Sequence, residues 1–362
     1  MCIRDRLKAI HNLQKEIKNN LQKEFDLSGF VSSVDFQLSL EPKNWRVICR
    51  IISNGILSSI GTELFGELLS HVNRINTSFQ ETIQLNYNQT KNSNPRKNPK
   101  IVSKILDYIS SKFLNEKVAL IVVDGLAYWQ YELLKERLPK TKNEEVIYSW
   151  IPSITQLSRQ AIFRGNIPLT DYRQAPLSEE KLWSAYWRAK GIKDFEVRYN
   201  HENINLTNLK NISKFAIVLK DLDEKMHSSS DYKDLLNLTQ NWIERSKIIH
   251  TINDLQLAGF RILLTTDHGN IQAKGWRGLQ GREKLGTNKS GSRSERHIEY
   301  TEKWLSDEFI ANNPELKESV VLEDQAIYFK SDLSFSRKET LVTHGGAHIL
   351  EVLIPFIEIS NE

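Results

Sequence analysis

The chain is poor in cysteine and contains no long apolar run. Its two cysteines, Cys2 and Cys49, build neither a disulfide framework nor a cysteine-based zinc site, which fits a reducing compartment. No apolar segment approaches the roughly 20 residues that cross a bilayer, and the N-terminus lacks the pattern of a secretory signal. The formal net charge is only +4, so charge alone does not indicate nucleic-acid binding. We therefore expect a cytoplasmic protein that does not engage a membrane.

The composition is that of a soluble globular protein with room for two domains. Hydrophobic residues make up 40% and charged residues 26% of the 362 positions, as in folded globular chains with a sizeable core. The first six residues, Met1–Arg6, lead straight into helical sequence without a cap. We treat residues 1–6 as a candidate artefact and the chain as a candidate C-terminal piece of a longer protein.

Two regions with different sequence patterns follow one another. Residues 7 to 88 carry apolar positions at helical spacing. Residues 88–100 are polar, with two prolines, four basic residues and no acid, which predicts a linker or an exposed loop. We therefore predict a helical N-terminal region over residues 1–114, with a linker at 89–100, and a second domain over residues 115–362.

From Val118 onward short apolar runs alternate with helical patterns, which predicts an α/β fold. The predicted strands are Val118–Val123, Phe215–Leu219, Arg261–Thr266, Val320–Phe329 and Glu351–Ile357. A helix is predicted before this region, at Ile101–Leu114, and the helices within it are predicted at Tyr128–Arg137, Thr155–Phe163, Glu180–Lys190, Asp231–Leu257 and Ile298–Asn312. Strands separated by helices favour a mostly parallel sheet covered by helices on both faces. Ligands of such sheets bind beyond the carboxyl ends of the strands.

Asp267 and His268 are the strongest local signal for a functional site. The apolar run Arg261–Thr266 ends in this acid and imidazole, so a buried strand brings both to the carboxyl edge of the sheet. Carboxylate and imidazole are common ligands of zinc and manganese. The segment that follows, Gln272–Arg296, has seven basic residues and two acids and predicts a mobile loop.

Asp124 and Thr155 are weaker candidates when each is taken alone. Asp124 ends the run Val118–Val123, but an Asp-Gly pair is also ordinary turn chemistry. Thr155 lies where a helix is predicted to begin, and Ser153 is an equally good cap. A hydroxyl in the first helical turn also faces the place where a phosphate settles, and metal coordination would make it a nucleophile.

Two further segments offer ligand side chains. Asp223 and His227 are four residues apart and share one face if the segment is helical; Asp221 is an alternative acid that lacks this spacing. His344 and His348 flank a glycine-rich segment, and either could ligate an ion. For Asp223 and His227 the alternative is a chance spacing in a region rich in charged residues. For His344 and His348 the alternative is an ordinary glycine turn.

Taken in order, these residues resemble the alkaline phosphatase superfamily, and within it the PglZ domain. The resemblance spans residues 115–360 and is carried by Val-Val-Asp124-Gly, Pro-Ser-Ile-Thr155, Phe163-Arg-Gly, Asp223-x-x-x-His227, Thr-Thr-Asp267-His268-Gly and His344-Gly-Gly leading to Glu351 and Ile354-Pro355. It implies an alkaline-phosphatase-like fold with a metal-dependent phosphatase or phosphodiesterase activity. Thr155 would be the nucleophile, and two divalent ions, zinc or alternatively manganese, the cofactors.

The resemblance also implies a ligand set for each ion. One ion would be held by Asp124, Thr155, Asp267 and His268, and the other by Asp223, His227 and His344. PglZ proteins occur in phage-defence systems of the BREX type, so other defence proteins are expected partners. The sequence departs from the family at His348, where a small or apolar residue is more usual, and in the long basic loop.

These features favour a phosphodiesterase or nuclease acting on nucleotides or nucleic acid. Basic residues of the 274–296 loop, with Arg159 or Arg164, are candidates to contact a polyanionic substrate, and a solvated surface is the alternative. A phosphomonoesterase or phosphotransferase would share the same metal site. A scaffold that only binds partner proteins is the third hypothesis, and the complete set of ligand positions counts against it.

Overall fold

The computed structural model describes residues 25–169, 173–288 and 294–360. The candidate artefact at residues 1–6 lies outside these ranges. The chain divides into two compact units, Met1–Val72 and Asn73–Glu362, whereas the domain boundary at residue 114/115 stays a prediction. None of the helices in the described ranges is long and apolar enough to cross a membrane.

The first unit is helical, as the apolar spacing predicts. Helices α1 (Leu27–Ser39) and α2 (Trp45–Ser59) are capped by the residues before them, Asp26 and Asn44. The side chains of these two residues accept hydrogen bonds from backbone N–H groups of the first turn. Such caps satisfy donors that a helix cannot pair internally. The apolar face of α2 is buried.

Helix α3 (Phe65–Lys91) runs three residues into the predicted linker, which therefore begins at Asn92. The irregular segment that follows is bonded to a strand of the second unit. The Asn98 side chain donates to the Glu145 carboxylate at 2.8 Å, and the Lys100 carbonyl accepts from the Tyr148 N–H. A short 3-10 turn and helix α4 (Ile105–Phe113) come next.

A six-stranded sheet forms the centre of the second unit, in the order β2-β12-β5-β1-β4-β3. Its strands are β1 (Val118–Val123), β2 (Thr141–Tyr148), β3 (Val197–His201), β4 (Lys214–Leu219), β5 (Arg261–Thr265) and β12 (Leu353–Ile359). Strand β1 pairs in parallel with β4 and β5, and β3 with β4, while β12 runs antiparallel to β5 and β2. The mostly parallel α/β sheet is thus confirmed.

Helices cover both faces of this sheet. All six residues of its central strand β1 are therefore buried. Leu120 and Val122 belong to a core cluster with Ile109, Phe163 and Trp183, which come from three helices. The helices of this region are α5 (Tyr128–Lys135), α6 (Thr155–Arg164), α7 (Pro176–Ala189), α8 (Asp221–Ser228), α9 (Tyr232–Arg245) and α10 (Ile248–Leu257).

Two three-stranded sheets complete the unit, in the orders β10-β6-β11 and β7-β9-β8. Their strands are β6 (Ile271–Gly275), β7 (His297–Glu299), β8 (Val320–Glu323), β9 (Ala326–Phe329), β10 (Leu333–Ser334) and β11 (Thr340–Thr343). Helices α11 (Gly281–Leu285), α12 (Lys303–Asn312) and α13 (Ile349–Val352) accompany them.

Several predicted boundaries are wrong. The single strand Val320–Phe329 is two antiparallel strands, which turn at Asp324 with φ 51°. The single helix Asp231–Leu257 is two helices, α9 and α10, separated at Ser246, whose ψ of 148° is extended. The helix predicted from Ile298 begins at Lys303.

Other predictions fail in the region that was expected to be a loop. The stretch 272–296 contains most of β6 and all of α11.

The start of the last predicted strand is also wrong. This strand begins at Leu353, because residues 349–352 form a helical turn.

Candidate metal centre

Three adjacent strands bring acidic side chains to one edge of the sheet. Asp124 follows β1, Asp267 follows β5, and Asp223 lies in α8, which begins two residues after β4. Because β5, β1 and β4 are neighbours and run in parallel, their carboxyl ends lie side by side. The sheet order therefore brings together acids that are far apart in the chain.

One group of side chains surrounds His268. Its Nε2 lies 3.5 Å from Asp124 Oδ1 and 3.6 Å from Asp267 Oδ2, and Thr155 Oγ1 is 3.0 Å from the same nitrogen. Ligands bound tetrahedrally to zinc at about 2.0–2.2 Å lie roughly 3.3 Å apart. The spacing of these four groups therefore suits a shared cation.

A second group surrounds Asp223. Its Oδ1 lies 3.4 Å from His227 Nε2 and 3.9 Å from His344 Nε2. Ligand atoms of Asp223, His227 and His344 all lie within 4.8 Å of one another, and so do those of Asp124, Asp223 and His268. Asp223 thus belongs to both sets, which makes the two groups adjacent.

Backbone carbonyls orient two of the imidazoles. His268 Nδ1 lies 2.9 Å from the Gly269 carbonyl oxygen, and His344 Nδ1 lies 2.9 Å from that of Ser153. Since a carbonyl only accepts, each Nδ1 carries the proton in these bonds and Nε2 faces the neighbouring acids. This arrangement around ring nitrogens is typical of metal-ligating histidines.

The two imidazoles also stack on one another, with centroids 3.8 Å apart and planes within 8° of parallel. Burial, then the proximity of His268 and His227, holds the pKa of His344 well below its usual range. His344 is therefore neutral and able to offer a lone pair.

The acids raise the affinity of this edge for positive charge. Burial acts to lower the pKa of His268, but the carboxylates of Asp267, Asp124 and Asp223 outweigh it and raise that pKa. Burial, followed by repulsion from Asp267, raises the pKa of Asp124 to about 7. A bound cation would offset the negative charge of these carboxylates, and it would therefore lower the raised pKa of both His268 and Asp124.

Two buried carboxylate oxygens support the assignment to a metal site. Asp124 Oδ1 and Asp267 Oδ2 have no hydrogen-bond partner among the residues that the structure describes, although both residues are at most 4% exposed. A buried oxygen without a donor is costly unless a cation satisfies it. Carboxylates, imidazoles and a hydroxyl are also the donor types that zinc and manganese accept, so the residues fit a divalent ion.

The structure places the remaining candidates outside these two groups. His348 is buried and lies 3.2 Å from Asn73 Oδ1 through its Nε2, while its Nδ1 accepts from the Leu350 N–H. Asp221 is an exposed residue at the start of α8. The geometry therefore favours His344 over His348 and Asp223 over Asp221.

Arg159, which the sequence made a candidate for substrate contact, is paired with two acids at the metal centre. It is 3% exposed and donates to Asp124 and to Glu179, a buried acid that the sequence did not single out. The four-residue spacing from Thr155 to Arg159 on one helix was a signal that this side chain faces the same site.

The basic residues after Asp267-His268 are also largely engaged within the fold. Arg277 pairs with Glu283 at 2.7 Å, Lys274 with Asp332 at 3.1 Å, and Arg296 is fully buried against Glu351. These three side chains are therefore not a free cationic surface for a substrate.

The chain contains an alkaline phosphatase-like domain. A family model described as the BREX system PglZ alkaline phosphatase-like domain matches residues 104–359, and the chain belongs to this family. The predicted resemblance is thereby confirmed, and the domain is of a hydrolase type. No curated protein matches the chain.

Solved structures with a similar chain course share little sequence with it. Murine ectonucleotide pyrophosphatase/phosphodiesterase 5 is 11% identical with a TM-score of 0.47, over 68% of this chain and 88% of that one. Phosphonoacetate hydrolase from Sinorhizobium meliloti 1021, in complex with phosphonoacetate, is 11% identical with a TM-score of 0.45, over 67% and 89%.

Proposed function

We propose that this protein is a metal-dependent phosphodiesterase or nuclease that acts on nucleotides or nucleic acid in a BREX-like phage-defence system. The observation that carries the proposal is the position of Thr155. Its hydroxyl stands at the first residue of α6 and 3.0 Å from His268 Nε2, inside the cluster of acids and imidazoles. A nucleophile, cation ligands and a helix N-terminus thus converge on one point.

Two divalent ions, zinc or alternatively manganese, would be the cofactors. Asp124, Thr155, Asp267 and His268 would hold one, and Asp223, His227 and His344 the other. When bound, such ions supply positive charge to the phosphate oxygens and lower the pKa of a coordinated hydroxyl.

Thr155 would carry the covalent step. Its Oγ1 would lose its proton and attack phosphorus, while the bond from phosphorus to the departing alcohol oxygen breaks and that oxygen takes up a proton. Thr155 would then carry the phosphoryl group, which for a diester substrate keeps its second ester bond. Water then hydrolyses the ester to Thr155 and restores the hydroxyl. The N-terminal end of α6 has a positive dipole and backbone N–H groups, which favour the phosphate next to Thr155.

The choice of a diester substrate follows the family rather than a basic surface. Of the seven basic residues in 272–296, three are paired within the fold and Lys289 and Arg293 lie outside the described residues. Arg282 and Lys284 are exposed on α11 and are the remaining candidates for contact with a polyanion. A phosphomonoesterase therefore stays the rival function to be tested.

The test compares esters and nucleophile variants on the same purified chain. After chelator treatment and addition of zinc or manganese, we expect hydrolysis of bis(p-nitrophenyl) phosphate and of a single-stranded oligonucleotide, faster than that of p-nitrophenyl phosphate. Thr155→Ala should abolish turnover, Thr155→Ser should retain part of it, and Thr77→Ala, at an exposed helical threonine, should leave it unchanged.

Metal content separates the enzyme from a scaffold. Elemental mass spectrometry should find about two ions per chain, as a two-metal site requires, and fewer in an Asp267→Ala/His268→Ala variant. A chain that binds no ion after loading and hydrolyses no ester would refute the proposal. Faster monoester than diester hydrolysis would refute only the choice of substrate.

A further inference from the structure

Arg159 lies one helical turn after Thr155 on α6 and reaches two acids. Its Nη1 is 2.9 Å from Asp124 Oδ2 and its Nη2 is 2.6 Å from Glu179 Oε2. Arg159 and Glu179 are 3% and 0% exposed. When a guanidinium is buried between two carboxylates, its hydrogen bonds to both of them fix its orientation.

Glu179 is itself held from two other parts of the fold. The Tyr199 hydroxyl of β3 donates to Oε2, the oxygen that also faces Arg159, and the Gln174 amide donates to Oε1. Each oxygen of this carboxylate therefore has a partner. The Glu179 carboxylate, and through it the guanidinium, is fixed by contacts that do not belong to the metal centre.

The consequence for Asp124 is that its two oxygens are not equivalent. Oδ2 accepts from Arg159. Within the described ranges Oδ1 has no hydrogen-bond partner, and it faces His268 Nε2 at 3.5 Å. If both oxygens were open, the carboxylate could rotate or bind an ion through both. The guanidinium disfavours an ion at Oδ2, because it takes up one lone pair of that oxygen and repels a second positive charge there.

We propose that Arg159 is a positioning residue of the metal centre, which is fixed by Glu179 and leaves Oδ1 as the one oxygen that Asp124 offers to an ion. This inference rests on the proposed function. Because Thr155 and Arg159 share α6, the contact with Asp124 also fixes that helix, and with it the nucleophile, against the end of β1. Glu179 acts on the metal centre only through Arg159.

A direct contact between Arg159 and substrate is the competing interpretation. Its Nε has no hydrogen-bond partner, so one donor is not used by the two acids. The two interpretations predict different measurements. A substrate contact changes KM at saturating metal, whereas a positioning contact changes the affinity for the metal itself.

The experiment measures zinc affinity by chelator competition in the full chain, followed by kcat and KM at saturating zinc. Arg159→Met should weaken zinc binding roughly 10- to 100-fold, the range found for residues that orient metal ligands, and leave KM within about twofold. Arg159→Lys should recover part of the affinity. Arg188→Met is the matched control, because Arg188 is an exposed arginine of α7, and it should change neither quantity.

A double-mutant cycle tests the path through Glu179. Glu179→Gln should weaken zinc binding in the wild-type background and have no further effect in Arg159→Met. Additive effects would overturn the inference, and so would unchanged zinc affinity with a raised KM. If Arg159→Met does not fold, the same cycle is run with Arg159→Gln, which also removes the charge, and with Tyr199→Phe. Additive effects on zinc affinity would again overturn the inference.

The design distinguishes this inference from the proposed function. A wild-type chain that cleaves diesters, with zinc affinity unaffected by Arg159→Met, would refute the positioning role alone. A wild-type chain that binds zinc in an Arg159-dependent manner but hydrolyses no ester would refute the proposed function and leave the positioning role standing.

Discussion

Asp124→Asn should stabilise the metal-free protein while it removes metal binding. In the metal-free chain burial and the neighbouring Asp267 raise the pKa of Asp124 from 3.8 to about 7. Between these two values the folded state binds a proton that the unfolded state has lost, so stability falls as pH rises across this window. Above about pH 7 the loss is complete. Asparagine removes the charge and hence this dependence.

The size of the effect follows from the pKa. Between about pH 5.5 and the folded pKa the wild-type loses about 1.36 kcal/mol per pH unit, hence about 2 kcal/mol over 1.5 units. The free energy of unfolding of Asp124→Asn, relative to wild type, should therefore rise by about 2 kcal/mol from about pH 5.5 to about pH 8. The Arg159 contact persists, because the asparagine carbonyl still accepts.

The assay is urea unfolding of chelator-treated protein at both pH values. Asp194→Asn serves as the control, because the Asp194 side chain is 65% exposed and should give no such pH-dependent difference. With zinc added at about pH 8 the order should reverse, since only the wild type gains binding free energy. A stability difference between Asp124→Asn and wild type that is the same at both pH values would refute the reasoning.

Three further outcomes are expected. Gly269→Ala places a Cβ 2.2 Å from the Leu350 carbonyl oxygen, so the backbone beside His268 must shift; bound metal, measured by elemental analysis, should fall below wild type. Asn76→Ala removes a donor to the Lys330 carbonyl and the acceptor of the Ile349 N–H; urea unfolding should show a loss of about 1–3 kcal/mol for these buried groups. A metal-saturated chain should melt above the chelator-treated chain, because zinc at about 100 times its Kd adds about 2.7 kcal/mol, and equal melting temperatures would contradict a metal site.

Local sequence predicts best the elements whose burial is uniform. Val118–Val123 is confirmed without a change of boundary, because an apolar run that is buried on both faces has no alternative in water. Strand β2 belongs to the same sheet, but its sequence did not predict a strand. Its burial does not alternate, and only Glu144 and Ile147 of its eight side chains are buried. Such a run at the edge of a sheet has no clear strand signature.

Turns inside a continuous pattern were missed for a related reason. The apolar and amphipathic patterns of Val320–Phe329 and Asp231–Leu257 continue across their turns. The breaks at Asp324 and Ser246 depend on where the chain must reverse to pack. Hydrophobic periodicity indicates which face of an element is apolar, but it does not locate the end of that element as well.

The sequence by itself determined the kinds of side chain and their place at strand ends. Asp124 and Asp267-His268 follow apolar runs, and the carboxyl ends of parallel strands share one edge. These are local properties, since each depends on a few neighbouring residues. They were sufficient to recognise the family, whereas the choice between His344 and His348 stayed open.

Only the tertiary structure decided which atoms meet. The order β5-β1-β4 brings Asp124, Asp223 and His268 within 4.8 Å of one another, although they are widely separated in the chain. It also directs His344 toward the acids and His348 toward Asn73, and it buries Arg159 between two carboxylates. Such contacts depend on strand order and helix packing over the whole unit, and no local pattern encodes them.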